Sequence, residues 1–349
     1  MGDNMKRAKT RYYVVAATFA VLLAAVAYAL APARDAALAP LQLTTALVAL
    51  NPDDPAQLSV GRLRYMGGLV LKSTNDSFGG LSGLRAGANG RMLAISDTGY
   101  WVAFTTVERD GRLVGVSDGI ITPILDAAGK PPVDKEAGDA EGLEWDPATG
   151  DAVVSFEQDH RLQFYRGIDP ANPATLAQAA TQVRRDPATA KWPDNAGGES
   201  VARSGDGTLA VISEDAIDNY GRHDLLLIDG DATRRLGYVS PKGTRPTDAV
   251  LLAAPDTLLI VNRSYSPLGG VTAVLEILDI GALAKLPDSG VAGTAQQQIA
   301  RLAKPLTVDN MEGIALRREG DRTFVYLVSD DNFNPLQRTI LLKFELLPE

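Results

Sequence analysis

Short runs of apolar residues, many of them β-branched, dominate the chain from Leu58 onward. Turns containing Gly, Asp, Asn or Pro separate these runs, as at Ala88-Asn89-Gly90 and Ser204-Gly205-Asp206-Gly207. Stretches with the period of an amphipathic helix are scarce in the same region. This pattern is typical of an all-β domain that is built from many short strands.

One hairpin pattern recurs five times along this domain. Each copy begins with a small or acidic residue, continues through two apolar strands joined by a tight turn, and ends in a polar or acidic residue. The copies start at Ser82, Glu141, Glu199, Asp248 and Glu312. A third apolar strand follows each copy, so the repeat predicts a β-propeller.

The length of the domain predicts six blades, because roughly 290 residues divide into units of about 48. Five blades correspond to the five copies. We expect the sixth to combine a strand at Gly61–Lys72 with a strand at Thr339–Leu346, which closes the ring and removes exposed sheet edges. A β-sandwich with coincidental hairpins is the alternative fold.

The first 33 residues differ in kind from the rest. Four Lys and Arg residues between positions 6 and 11 precede an uncharged run over 12–30. This arrangement predicts a signal peptide or an N-terminal membrane anchor in 1–33. We therefore expect an exported protein, periplasmic or extracellular, which contacts the membrane only through this segment. Residues 34–57 are predicted to be a linker, and 58–349 the propeller domain.

Composition narrows the chemistry further. The chain contains no cysteine and two histidines, His160 and His223, which excludes thiol chemistry and a His-rich metal centre. The net charge is −9 for the chain and +3 for residues 1–33, so the exported part carries −12. Such an acidic domain is not expected to bind nucleic acid. Motifs for a P-loop, a dinucleotide site, a zinc protease or a serine nucleophile elbow are absent.

Acidic residues occupy matching positions in successive copies. If the strand that follows them is innermost, their side chains converge on the central channel, and the acids at the end of the next, antiparallel strand lie on the same rim. Such oxygen-rich clusters favour Ca²⁺ or another hard divalent cation. The predicted metal ligands are Glu141, Glu199, Asp248, Glu312 and Asp330. The alternative is that each acid accepts backbone N–H groups at a blade corner.

Arginines near the starts of third strands add candidate positive charge. Arg161 and Arg222 are predicted to neutralise an anionic substrate, since guanidinium groups bind phosphate and carboxylate bidentately. Arg263 and Arg338 occupy comparable places. The alternative is that these arginines pair with the rim acids.

Several stretches resemble a known family, the bacterial phytase-like domain, also called "esterase-like activity of phytase". They are DAEGLEWDP, GGESVA, NMEGIAL and LVSDDNFNPLQRTILLKFEL. The resemblance covers about Gly61 to Leu347, and the family's recurring motifs match Glu141, Glu199, Glu312 and residues 329–332. It implies an exported propeller and, loosely, esterase or phosphomonoesterase activity. Ser82 and Asp248 depart from the family's E-G pattern.

Together these observations predict an exported hydrolase that acts on a small anionic ester, a phosphate ester or another ester, with help from Ca²⁺ or another divalent cation. The predicted catalytic residues are Glu141, Glu199, Glu312, Arg161 and Arg222. One alternative is a lactonase similar to the gluconolactonase-type propellers, which also hold a cation in the channel. The other is a non-catalytic binding module.

Overall fold

Antiparallel β-sheets make up the domain in a computed structural model, which describes residues 38–195, 197–252, 256–283, 285 and 296–348. In this part of the chain, 23 strands form five sheets, and each sheet meanders outward from one inner strand. The sheets are the blades of a propeller, so the predicted all-β propeller is confirmed.

The first three blades are described from the inner to the outer strand. Blade 1 consists of β5 (Leu81–Ala86), β6 (Arg91–Ser96), β7 (Tyr100–Arg109), β8 (Arg112–Pro123) and β1 (Ala39–Leu41). Blade 2 consists of β9 (Ala140–Trp145), β10 (Ala152–Phe156), β11 (Arg161–Tyr165) and β12 (Gln182–Arg185). Blade 3 consists of β13 (Ser200–Arg203), β14 (Leu209–Ile217), β15 (His223–Asp229) and β16 (Ala232–Tyr238).

The last two blades follow in the same order of strands. Blade 4 consists of β17 (Arg245–Leu251), β18 (Thr257–Ser266), β19 (Gly270–Asp279) and β20 (Gln296–Ala303). Blade 5 consists of β21 (Asn310–Glu319), β22 (Arg322–Asp330), β23 (Thr339–Leu346), β4 (Leu63–Lys72) and β2 (Thr44–Leu47), and β3 (Ser59–Val60) also pairs with β4. Two short α-helices of the described residues, α1 (Lys135–Gly138) and α2 (Ile280–Leu283), lie in connections.

Apolar clusters between neighbouring blades form the core. Among the described residues there are five such clusters, one for each pair of adjacent blades, including the pair formed by blades 5 and 1. Between blades 1 and 2, for example, the ring of Trp101 meets that of Tyr165 edge to face at 5.3 Å. Both faces of a blade are therefore buried, which explains why the strands are apolar along their length instead of alternating.

The predicted number of blades is wrong, since the ring has five and not six. The predicted pairing of the chain ends is nevertheless present: β4 pairs with β23, from Leu63 opposite Leu346 to Leu71 opposite Thr339. These strands do not form a blade of their own because the hairpin β21–β22 already needs them as its third and fourth strands. They complete blade 5.

The segment predicted as a linker contributes strands to the propeller. Within 34–57, β1 pairs with β8 at the outer edge of blade 1, and β2 pairs with β4 in blade 5. The predicted signal or anchor segment, 1–33, lies outside the described residues. In the described part of the chain, every helix is too short or too polar to span a bilayer.

The inner strands β5, β9, β13, β17 and β21 lie side by side around the axis. All five begin at the same end of the channel, which we call the mouth. Because each blade is antiparallel, the second strand ends and the third begins at the mouth, and the connections between blades also lie there. Acids at the two open ends of a hairpin therefore share one rim.

Candidate functional site

A break in strand pairing marks the mouth end of most inner strands. The register of hydrogen bonding skips one residue at Ser82, Glu141, Thr247 and Glu312. Such β-bulges leave a residue outside the ladder and re-aim its side chain. In blade 3, Glu199 directly precedes Ser200, the first paired residue. Glu141, Glu199 and Glu312 therefore occupy equivalent positions, as predicted.

Two blades carry a hydroxyl instead of an acid at this position. Ser82 Oγ donates to the carbonyl of Ala140, the first residue of the next inner strand, at 2.6 Å. Thr247 Oγ1 donates to the carbonyl of Met311, again on the next inner strand, at 2.9 Å. In blades 1 and 4 the bulge residue therefore ties adjacent blades together, which accounts for the departures from the E-G pattern.

A second set of charges lies at the ends of the second strands. Asp97 and Glu157 follow β6 and β10, and Asp330 ends β22. Glu214 lies within β14, two residues beyond the last residue that pairs with β13. The equivalent residue of blade 4 is a cation, Arg263. Its guanidinium lies 3.0 Å from Glu214 Oε1 and 2.9 Å from Glu312 Oε1, and so joins blades 3 and 5 across blade 4.

Three carboxylates converge closely on the blade 2 side of the mouth. Asp139, Glu141 and Glu157 each place one oxygen within 4.8 Å of the others. Asp139 follows α1, whose Lys135 Nζ lies 2.6 Å from Asp139 and 3.0 Å from Asp97. Glu157 Oε1 accepts from the Gly197 N–H at 2.7 Å. The three carboxylates are thus close enough together to share one ion.

Burial and mutual repulsion raise the pKa values of the mouth acids. Burial raises the pKa of Glu141 well above its usual range, and the neighbouring charge of Glu199 raises it further. Burial likewise raises the pKa of Glu157 to about 7. It raises the pKa of Glu312 to about 8 although Arg263 opposes the shift. A bound cation would relieve this repulsion, because it favours the charged form of every carboxylate around it.

The donor set fits a hard divalent cation. Three carboxylate oxygens lie together, and Glu312 Oε2 and Asp97 Oδ1 are buried without a hydrogen-bond partner among the described residues. Ca²⁺ and Mg²⁺ prefer such oxygen ligands and complete their coordination with water or substrate. Asp139, Glu141 and Glu157 are the residues that would hold the ion.

Below the mouth, a single arginine fills the axis. Arg85 lies on β5, is buried, and reaches acceptors on each of the other four inner strands. These are Glu144 Oε2 at 3.5 Å, Val201 O at 2.7 Å, Asp248 Oδ2 and Oδ1 at 2.9 and 3.1 Å, Ala249 O at 2.7 Å and Ile314 O at 3.0 Å. A ligand that enters the mouth therefore meets a closed floor.

Asp248 belongs to this floor. Its carboxylate binds Arg85 through both oxygens and also accepts the N–H groups of Ala249 and Ile314, each at 2.8 Å. The bulge shows that Thr247, and not Asp248, is the equivalent of Glu141. The structure thus sets Asp248 apart from the other predicted ligands, while it brings Glu141, Glu199, Glu312 and Asp330 together at the mouth.

The two arginines predicted to bind the substrate are engaged elsewhere. Arg161 stacks on Phe156 at 3.9 Å and lies 2.5 Å from Asp159, in a cavity of about 640 Å³ that Glu136 and Ala137 of α1 help to line. Arg222 lies 2.5 Å from Asp218 at the tip of the β14–β15 hairpin. Among the described residues, the cations that pair with the mouth acids are Lys135 and Arg263.

The histidines have structural surroundings. His160 packs edge to face on Trp192 with ring centroids 5.6 Å apart. His223 is buried and its Nε2 lies 3.0 Å from Ser240 Oγ. Burial lowers the pKa of His223, which favours the neutral form of the ring.

Sequence reasoning missed Asp139 and Lys135, and it did not include Glu157 among the predicted metal ligands. Asp139 stands two residues before Glu141 in the DAEG stretch, so the signal was present beside a predicted ligand. Lys135 had no such signal, because only the fold of the β8–β9 connection turns it into the mouth.

A family model described as "Phytase-like: Esterase-like activity of phytase" matches residues 76–333, well over half of the chain. The chain belongs to this phytase-like family. The resemblance seen in the sequence is therefore confirmed, and the matched range contains every acid of the mouth. No curated protein sequence is significantly similar to this phytase-like chain.

Solved structures with a similar arrangement include a functionally unknown protein from Desulfotomaculum acetoxidans, at 14% identity and a TM-score of 0.34, covering 75% of this chain and 72% of that one. Another is the PQQ domain of pyranose dehydrogenase from Coprinopsis cinerea, at 10% identity and a TM-score of 0.38, covering 89% and 98%. Neither likeness is close enough to carry an argument about this chain.

Proposed function

We propose that this phytase-like chain is an exported ester hydrolase that uses a divalent cation at Asp139, Glu141 and Glu157. The convergence of these three oxygens within 4.8 Å is the observation that carries the proposal. When bound, the cation would polarise the ester oxygen and lower the pKa of a water molecule. The remaining chemistry rests on groups of the chain itself.

Glu199 and Glu312 are the candidate general bases. Both lie among the mouth acids, and burial raises the pKa of each, to about 8 for Glu312. A carboxylate with a raised pKa is a better proton acceptor near neutral pH than an ordinary one. Arg263 is placed to stabilise negative charge that develops on the reacting ester, since it is held beside Glu312. The closed floor at Arg85 restricts the substrate to the mouth.

Thermal melting with and without the ion tests the metal site. The full chain is melted in EDTA and then in Ca²⁺, as wild type and as Glu141→Gln/Glu157→Gln. An ion at 100 times its Kd stabilises the native state by about 2.7 kcal/mol. We expect this rise in Tm in the wild type and its loss in the variant. Glu136→Gln, which removes an exposed acid from α1, is the matched control and should respond like the wild type.

Turnover is tested separately on carboxylic esters, lactones and phosphate monoesters with Ca²⁺ present. Hydrolysis that disappears in Glu141→Gln/Glu157→Gln but not in Glu136→Gln supports the proposal. A protein that binds Ca²⁺ and hydrolyses none of these compounds is a binding module and not a hydrolase. Export is tested by fractionating cells that produce the full chain, since a cytoplasmic location would contradict it.

A further inference from the structure

Exposed apolar side chains are concentrated at the mouth end of the propeller. Among the described residues, the mouth loops and hairpin tips carry Val133, Ile217, Tyr220, Val239, Tyr265, Leu268, Phe333 and Leu336 as exposed large apolar residues. The opposite end carries Leu58 and Val107, and the outer edges carry Leu38 and Leu47. Single exposed apolar residues are common, but such an asymmetry marks a binding surface.

Phe333 connects this apolar rim to the acidic mouth. Gly80 lies between Asp97 and Phe333. A Cβ atom at this position would be 1.9 Å from Asp97 Oδ1 and 2.8 Å from a ring atom of Phe333, so the carboxylate and the ring are neighbours. Phe333 is nevertheless 43% exposed. The ring therefore presents an apolar face next to one of the mouth acids, and Leu336, 90% exposed, follows in the same loop.

The loop that carries Phe333 is held firmly. Asp331 Oδ1 accepts from the N–H groups of Gly80 and Phe333, each at 3.1 Å, and Oδ2 accepts from Thr339 Oγ1 at 2.9 Å. Phe333 has a φ of +49°, which bulky residues rarely adopt. The same aspartate thus joins blade 5 to the entrance of blade 1 and fixes the ring in place.

The charges of the mouth disfavour a polyanion. Eight carboxylates lie there (Asp97, Asp139, Glu141, Glu157, Glu199, Glu214, Glu312 and Asp330), and among the described residues the cations that pair with them, Lys135 and Arg263, are both engaged. The arginines farther out on the rim, Arg161, Arg222 and Arg245, are paired with Asp159, Asp218 and Asp215. One divalent cation favours the ionised form of the carboxylates around it and offsets two of their charges. A substrate with several phosphates would meet strong repulsion, whereas an uncharged ester would not.

We propose that the substrate is an uncharged ester whose apolar acyl group packs on Phe333 and Leu336, and that multiply phosphorylated compounds are poor substrates. This inference rests on the proposed function and names the substrate class of the same site. It replaces the anionic substrate predicted from Arg161 and Arg222, whose guanidinium groups are paired with Asp159 and Asp218 at the rim. The loop at Phe333 is then the element that sets acyl-chain specificity.

Kinetics on a matched substrate series test the inference. With Ca²⁺ present, kcat/KM is measured for 4-nitrophenyl acetate, butyrate and octanoate, for 4-nitrophenyl phosphate and for inositol hexakisphosphate. We expect octanoate to be the best substrate. Phe333→Asn, which keeps a residue that tolerates the positive φ, and Leu336→Ser should each lower the octanoate-to-acetate ratio about tenfold. Leu58→Ser, at the opposite end, should leave the ratio unchanged.

Two results would overturn the inference. One is a higher kcat/KM for either phosphate compound than for every carboxylic ester, and the other is an octanoate-to-acetate ratio that is unchanged in both mouth variants. Equilibrium binding of 4-nitrophenyl octyl ether separates this inference from the proposed function. If no ester is hydrolysed, binding of the ether to the wild type that is lost in Phe333→Asn refutes the proposed hydrolase and supports the apolar site. If no ester is hydrolysed and the wild type does not bind the ether, both the hydrolase and the apolar site are refuted.

Discussion

Arg85 illustrates how much of this propeller depends on single side chains. From its own strand β5 it reaches the other four inner strands, and its principal charged partner, Asp248, is fully buried. Burying two charges is costly, but removing one partner costs more, because the other remains buried and unpaired. The floor of the channel is thus stable only as a complete unit.

Arg85→Met is therefore expected to lower the free energy of unfolding by about 3–5 kcal/mol. Urea denaturation followed by tryptophan fluorescence measures the change. Arg85→Met/Asp248→Asn should recover part of the loss, since the double variant no longer buries an unpaired carboxylate. A single variant within about 1 kcal/mol of the wild type would contradict this account of the floor.

Arg263 has a different role because its partners belong to the mouth. Arg263→Gln leaves Glu214 and Glu312 without their cation, so the mouth becomes more negative. We expect a several-fold tighter binding of Ca²⁺ and a fall in kcat of about 100-fold, the size of a lost charge-stabilising donor. Calorimetric titration and ester kinetics measure the two effects. Arg245→Gln, which removes a half-exposed arginine paired with Asp215, should change both far less.

Individual site residues were predictable where sequence spacing and hydrogen-bond register agree. Glu141, Glu199 and Glu312 satisfy this condition. Asp248 does not, because the residue left out of the ladder in its strand is Thr247, one position earlier, just as Glu141 and Glu312 are left out in theirs. A bulge leaves little trace in sequence, and a shift by one residue moves a side chain from the mouth into the floor.

At the scale of elements, the apolar pattern of the sequence predicts the strands but does not predict the number of blades. The predicted third strands correspond to β7, β11, β15, β19 and β23. The estimate of six blades assumed that length divides evenly. Long connections, such as residues 166–181 between β11 and β12, take up residues without adding strands. Only the pairing of β4 with β23 shows that five sheets close the ring.

Charged contacts strengthen the pairing of β4 with β23 at the end opposite the mouth. Glu345 on β23 binds Arg64 on β4 and lies 2.7 Å from Arg322 on β22. The hydrogen bond from Arg322 is the main reason that the pKa of Glu345 falls to about 2. Because folding lowers the pKa of Glu345, its ionised carboxylate stabilises the fold at pH values above its usual pKa of 4.5. This stabilisation is lost as the pH falls toward 2.

Glu345→Gln should accordingly lower stability by about 1 kcal/mol at pH 7, the size of a partly exposed ion-pair network. The difference in Tm between variant and wild type should shrink as the pH falls from 4.5 and vanish near pH 2. Calorimetry across this range measures it. A difference that persists at pH 2 would show that Glu345 acts through packing rather than charge.

At the scale of the whole molecule, stability is shared around a ring. Each blade buries both faces against its neighbours, so removing one strand exposes two apolar clusters at once. Strand β4 contributes to both of the clusters that flank blade 5, through Leu69 and Leu71 on one face and Leu63 and Tyr65 on the other.

A chain that begins at Ser73 lacks β1 to β4 and should therefore fail to unfold cooperatively. We expect it to aggregate, because β23 becomes an exposed apolar edge. A chain that begins at Leu38 retains every described strand and should melt as one cooperative unit. Circular dichroism and size-exclusion chromatography distinguish the two. Cooperative melting of the shorter chain would show that ring closure is dispensable.

The closure of blade 5 also has a consequence for synthesis. The ribosome makes β4 among the first strands and β23 last, so β4 leaves the ribosome long before its partner exists. At 5–20 residues per second, the stretch between Lys72 and Thr339 takes roughly 15–50 s to translate. During this time an apolar strand waits unpaired, and such a strand is a natural client for a chaperone that keeps nascent chains apart.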